Sequence, residues 1–169
     1  MHAKRMIAIG LMGLAVAAAA PNRAANEAEA YIGLCLGDDP KSGCAFNRQM
    51  FLEQYPKALR GDYQSQRNVA YLLSGAVTPP ADNPVQTNTL QACAWRLVIL
   101  KSGHAQAGSG DVGNRNVDCA RRGVDMDAAQ ARADELLRGI KAAKPLPPER
   151  PAPRRKGPLD GTAHPLTAD

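Results

Sequence analysis

GDYQSQRNVAYLLSG (residues 61–75) and NTLQACAWRLVILKSG (residues 88–103) each carry a helix-capping side chain in their first two positions and close on glycine. Asp62 is placed to cap the first helix, because a short side-chain oxygen satisfies backbone N–H groups that a helix start leaves open. Val69, Leu72, Leu73 and Ala76 fall on one face at helical spacing. Gly75 and the Pro79-Pro80 pair end that helix. In the second stretch Asn88 stands three residues before Gln91, the spacing of a capping box. Leu90, Ala94, Leu97 and Val98 form its apolar stripe, with Cys93 and Trp95 alongside, and Ser102-Gly103 closes it.

The same period extends in both directions. Ala28, Tyr31, Ile32 and Cys35 predict a helix over 26–36, followed by the turn 37–43. A second helix is expected from about Ala45 to Ala58, ended or bent by Pro56. After a loop at Gly108-Ser109-Gly110-Asp111, a fifth helix should run from about Asp111 to Arg121. Asp127, with Gln130 three residues on, is expected to cap a sixth whose stripe is Ala129, Ala133, Leu136, Leu137 and Ile140. No segment reads as a strand. With only two Phe, four Tyr and one Trp, the composition favours packing of small side chains on helices over a β-sandwich. The expected fold is all-α.

The two ends read differently. His2, Lys4 and Arg5 precede an apolar run of 14 residues, Ile7 to Ala20. That run is too short to span a bilayer, which needs about 20, and small residues follow it. Residues 1–24 therefore read as a secretion signal, with cleavage after Ala17, Ala20 or Ala24. Pro21 disfavours the cut directly after Ala20. No later segment is apolar enough to span, so stable membrane insertion after cleavage is not expected. From Lys144 onward there are seven Pro in 26 residues and no aromatic, which predicts a disordered, basic, Pro-rich tail over 144–169. The folded unit is assigned to 25–143.

The cysteines agree with export. Cys35, Cys44, Cys93 and Cys119 all follow the signal, and an even number in an oxidising compartment predicts two disulfides. Of the three possible pairings, Cys35–Cys44 and Cys93–Cys119 join neighbours in the helical plan. The spacings of 9, 49 and 26 residues match no common zinc pattern. Charge narrows the function classes further. The formal net charge of +5 comes largely from the ends; residues 31–143 carry 13 basic and 11 acidic side chains. A nucleic-acid-binding domain would concentrate basic charge on its folded surface, so that class is set aside.

Residues 58–105 resemble the Sel-one-like repeat, a relative of the tetratricopeptide repeat. The resemblance rests on Ala58, Gly61-Asp62, Asn68, Ala70-Tyr71-Leu72 and Gly75 in the first helix. In the second it rests on Ala92, Trp95, Ile99, Leu100 and Gly103-His104-Ala105. The Ala-x-x-Trp to Gly-His register is the specific part. The segment from Ala76 to Thr89 is about ten residues longer than the family pattern. Residues 105–140 would supply a degenerate second pair, since a lone repeat cannot bury its core. The resemblance implies a short stack of antiparallel helical hairpins, stapled by disulfides as in cysteine-rich members, and a protein-interaction role. In that arrangement Tyr63, Gln64, Arg67 and Asn68 would be partner contacts on the first helix of the repeat.

Candidate chemistry is sparse. Gly108-x-Gly110-x-x-Gly113 spells a dinucleotide fingerprint, but it follows a helix, whereas the motif must follow a strand and open a βαβ unit. His104 could act as a general base and also occupies the family's helix-end position, where its role is structural. Asp111, Asn114, Asn116 and Asp118 lack the ligand order of a calcium loop. Asp38 and Asp39 are neighbours in a turn, so their side chains diverge rather than pair as acid and base. Trp95 reads as core. The resulting expectation is an exported, periplasmic or secreted module that binds a protein or peptide, with no catalytic residue, cofactor or metal. The alternative is an envelope enzyme acting on peptidoglycan or β-lactams, or a secreted effector.

Overall fold

A computed structural model describes residues 20–35 and 39–143. Most of the expected signal and all of the expected tail lie outside the described residues. Among the described residues there are six α-helices: α1 (Ala20–Glu29), α2 (Gly43–Ala58), α3 (Tyr63–Leu73), α4 (Thr89–Lys101), α5 (Ser109–Arg115) and α6 (Met126–Ala142). A 3₁₀ turn, Pro80–Asp82, lies between α3 and α4, and a π-helical segment, Asn116–Ala120, continues α5. Among the described residues the only β-pairing is one isolated bridge, Ile32 to Val85. The all-α expectation holds.

The local signals explain the boundaries of the central helices. Asp62 accepts from Ser65 N at 2.7 Å and starts α3. Asn88 accepts from Gln91 N at 2.9 Å and starts α4. The second half of the expected capping box does not form: Asn88 N donates to the Leu73 carbonyl, and the Gln91 side chain accepts from Arg132 instead. Gly75 and Gly103 follow the two helices at φ +70° and +68°, the left-handed conformation that relieves helix C-termini. The end of α3 meets the start of α4 through that Asn88–Leu73 bond, and Tyr63 at the start of α3 stacks on His104 beyond the end of α4. The two helices therefore run antiparallel.

Helix α4 is the centre of the molecule. Its Gln91 to Ile99 are all buried, so the single apolar stripe read from the sequence is a helix covered on every side. Helices α3, α5 and α6 and the π-helical segment all pack against it. Trp95 is fully buried and meets Tyr55 of α2 edge-on, with ring centroids 6.1 Å apart. Tyr55 packs in turn on Phe51 and Tyr31. Ala129, Ala133 and Leu136 bury one face of α6 in the same core, while Leu137 and Ile140 pack at its margin.

Several boundaries differ from expectation, the first for a tertiary reason and those of α2 and α6 through local caps. The first helix ends at Glu29, because Tyr31–Gly33 leave it to pair with the α3–α4 loop. Gln86 N donates to the Tyr31 carbonyl at 2.8 Å, and Gly33 N donates to the Pro84 carbonyl at 2.6 Å. Its first five residues, Ala20 to Ala24, fall within the range assigned to the signal. Helix α2 starts at Gly43, capped by Ser42, and continues through Pro56 to Ala58. The fifth helix begins at Ser109, and from Asn116 its path widens into the π-helical segment. Asp125, not Asp127, caps α6, accepting from both Asp127 N and Ala128 N.

Two disulfides hold the periphery to this plan: Cys35–Cys44, and Cys93–Cys119 between α4 and the π-helical segment. A polar knot joins four helices. Glu27 Oε1 accepts from Tyr55 OH at 2.8 Å and from Arg132 Nη2 at 2.7 Å, and Arg132 Nε donates to Gln91 Oε1 at 2.9 Å. Burial, then the neighbouring Tyr31 and Glu27, push the Tyr55 phenol well above its ordinary range. Among the described residues, no helix is long and apolar enough to cross a membrane.

Candidate functional site

Helix α3 presents Gln64, Arg67, Asn68 and Tyr71 to solvent at one-turn spacing, the i, i+3, i+4, i+7 geometry of one helix face. These four, with Arg96 of α4 and Asn114 of α5, line a cleft of about 240 Å³. Every lining side chain carries a polar group: two guanidinium groups, three amides and one phenol. A second hollow of about 300 Å³ lies along α2 at Phe46, Gln49, Met50, Glu53 and Gln54. There Gln49 and Glu53 hydrogen-bond each other on the exposed surface.

The first cleft differs in having buried charge behind it. Arg96 is only 4% exposed, and its Nε donates to Asp118 Oδ2 at 2.8 Å. Asp118 is equally buried, so each charge is out of water and balanced by the other. Arg67 is half-buried, with Nε 3.1 Å from Asp111 Oδ1. Asp111 is held from three sides: Arg67, the Tyr63 hydroxyl at 2.6 Å from Oδ2, and Gly108 N at 3.2 Å from Oδ2. The last of these bonds satisfies the backbone just before α5, so Asp111 both starts that helix and anchors it to α3.

Tyr63 sits beneath this cluster. The hydrogen bond to the Asp111 carboxylate, together with burial, raises the Tyr63 phenol above its ordinary value. Its ring stacks on His104, with centroids 4.6 Å apart and planes 6° from parallel, and the Arg67 guanidinium lies 5.6 Å from its centroid. His104 Nδ1 accepts from Gln106 N at 3.2 Å, so the imidazole is exposed yet held in place on two sides.

Of the four residues expected as partner contacts, Gln64, Arg67 and Asn68 come together in the cleft. Tyr63 does not: its side chain is buried against His104 and Asp111 and supports the cleft wall. Sequence reasoning missed Tyr71, Arg96 and Asn114. Arg96 did carry a signal, since it is the sole charge between Ala92 and Leu100. A lone cation inside an apolar helix calls for a partner in the fold.

The other candidate residues have structural occupations. Asp111 and Asp118, two members of the calcium-like set, are committed to Arg67 and Arg96. The Gly108–Gly113 run opens α5 and, among the described residues, adjoins no strand. Asp39 accepts from Lys41 N in its turn, and Asp38 lies outside the described residues. Among the described residues no three His, Cys, Asp or Glu side chains gather as a metal site. In comparisons with known proteins, no family model, curated protein or solved structure matches this chain.

Proposed function

We propose that this chain is an exported peptide- or protein-binding module whose recognition surface is the cleft between α3, α4 and α5. The observation that carries this reading is the face itself. Gln64, Arg67, Asn68 and Tyr71 project from one side of α3 over Arg96 and Asn114. Amide and guanidinium groups offer directional hydrogen bonds to a bound chain, and nothing in that lining is a nucleophile backed by a base. Export is supported by the two disulfides, which persist in oxidising compartments.

The α3–α4 pair is read as one Sel-one-like repeat unit. In support, the small residues of the pattern, Ala58, Ala70 and Ala92, are fully buried where helices meet. Gly75 and Gly103 take up the left-handed turns, and Trp95 fills the core. His104 of the Gly-His pair closes the unit by stacking on Tyr63. Flanking helices would then complete a short stack of hairpins.

The test is site-specific photo-crosslinking of the full chain in its native cell. Photoreactive residues at Gln64 or Asn68 are compared with one at exposed Lys57 on α2. A defined envelope or secreted partner captured from both cleft positions, but not from Lys57, supports the reading. Equal capture from Lys57, or turnover of a muropeptide or β-lactam abolished by His104→Ala, overturns it.

A further inference from the structure

We propose that the cleft selects a carboxylate on the bound chain, gripped between the Arg67 and Arg96 guanidinium groups. The inference rests on the cleft being the binding site, and it names the group recognised there. Arg96 carries the argument. Its side chain is about nineteen-twentieths buried, yet only Nε has a protein partner among the described residues, the Asp118 carboxylate. Among the described residues the remaining guanidinium nitrogens have no partner, and Arg96 borders the cleft. A cation held in a buried position by one edge keeps its other donors in a fixed plane, ready for a planar acceptor.

Arg67 stands beside it, more exposed and ion-paired at one side. Asp111 takes its Nε edge at 3.1 Å, and the Tyr63 ring lies alongside the guanidinium. Two guanidinium groups, each in an ion pair with its own aspartate, thus share one small cavity. Asp111 and Asp118 orient the forks but do not exhaust them, since a guanidinium has five N–H donors. The flanking groups suit a peptide. Gln64 Nε2 donates to Asn68 Oδ1 at 2.9 Å, which leaves the Gln64 carbonyl and the Asn68 amino group for a backbone N–H and C=O.

The ligand is therefore an acidic side chain or the carboxylate end of a chain. A planar carboxylate matches the forks in two parallel bonds. In a cleft with three amides, it would be accompanied by peptide rather than solvent.

Four probes distinguish the sources by ¹H–¹⁵N correlation spectra of the oxidised full chain. They are a tripeptide with a free C-terminus, a peptide blocked at both ends with one internal Glu, a fully blocked neutral peptide, and inorganic phosphate. Saturable shifts of the Arg67 and Arg96 side-chain signals are expected with the free-ended or Glu peptide. Whichever binds more tightly identifies the source of the carboxylate. Arg67→Gln should weaken that binding about tenfold or more, and Arg67→Lys, which keeps charge without the fork, should restore only part of it. Equal binding of the neutral peptide overturns the carboxylate while leaving the cleft as a peptide site. Shifts with phosphate alone, or with none of the probes, also overturn it. The crosslinking result stands apart, because it locates a partner whatever group that partner presents.

Discussion

Replacing Asp118 by alanine should be among the most damaging single changes in this protein, although it removes only a few atoms. Asp118 Oδ2 and Arg96 Nε are 2.8 Å apart, and each side chain is 5% exposed. Without the carboxylate, Arg96 stays inside α4 as an uncompensated cation. Breaking a buried pair in this way costs about 3–5 kcal/mol. In a domain of this size a loss on that scale lowers the melting temperature by upwards of about 10 °C. Arg96→Met should cost a comparable amount, since it strands the carboxylate instead. The double variant Arg96→Met/Asp118→Leu should recover most of the loss, because apolar groups of similar volume need no partner. The assay is urea unfolding of oxidised protein followed by far-ultraviolet circular dichroism, arranged as a double-mutant cycle. Two results would refute the reasoning. Asp118→Ala could cost less than about 1 kcal/mol, as an exposed pair would. Alternatively, the double variant could be as unstable as the two singles combined, which would put the loss in packing rather than charge.

Three further outcomes are expected. Gly75→Ala should destabilise more than Gly103→Ala: both glycines have positive φ, but a Cβ at Gly75 would lie 2.6 Å from Thr87 Oγ1, whereas none of the surroundings of Gly103 come within 4 Å. The strain alone is worth about 1–2 kcal/mol, and equal melting temperatures for the two variants would contradict the steric part. Replacing Cys93 and Cys119 by alanine should cost about 3.5 kcal/mol against about 2.5 for Cys35 and Cys44, on the chain-entropy scale for the longer and shorter loop. The larger loss should appear in urea midpoints, and the reverse order would show that loop entropy does not govern these links. Tyr55 and Tyr63 both ionise above the ordinary phenol value of 10.0, the first chiefly through burial, the second chiefly through its bond to Asp111. Because the folded values exceed the unfolded one, this contribution to stability is complete below about pH 10 and is lost as the pH rises through the folded values. Melting curves from neutral to alkaline pH check this, and Asp111→Asn should lower the Tyr63 transition in a 295-nm titration.

A capping side chain binds a backbone N–H three residues away, so Asp62 and Asn88 announce α3 and α4 without any help from the rest of the chain. Gly75 and Gly103 do the same for the helix ends, because left-handed backbone is a local demand. The cysteine pairing was legible for a related reason: each link joins elements close in the helical order, 9 and 26 residues apart. Where the first helix stops was not legible. Tyr31 and Gly33 find backbone partners in the loop around Pro84–Gln86, and those bonds outcompete one more helical turn.

The cleft divides along the same line. Gln64, Arg67 and Asn68 lie on one face of a short helix, and their spacing alone puts them together. Only the folded chain brought Arg96 to Asp118 across 22 residues, and Tyr63 to Asp111 across 48. Periodicity assigns a residue to a face, but whether a charge on that face is buried, and by what it is balanced, depends on distant segments that must arrive together. Among the described residues, local signals set α2 to α6, the caps of α3 and α4, and the sulfur links, whereas of the helix expected over 26–36 only 26–29 is helical. Tertiary packing decided which helix became the centre, which tyrosine went under the surface, and which arginine was left with donors to spare.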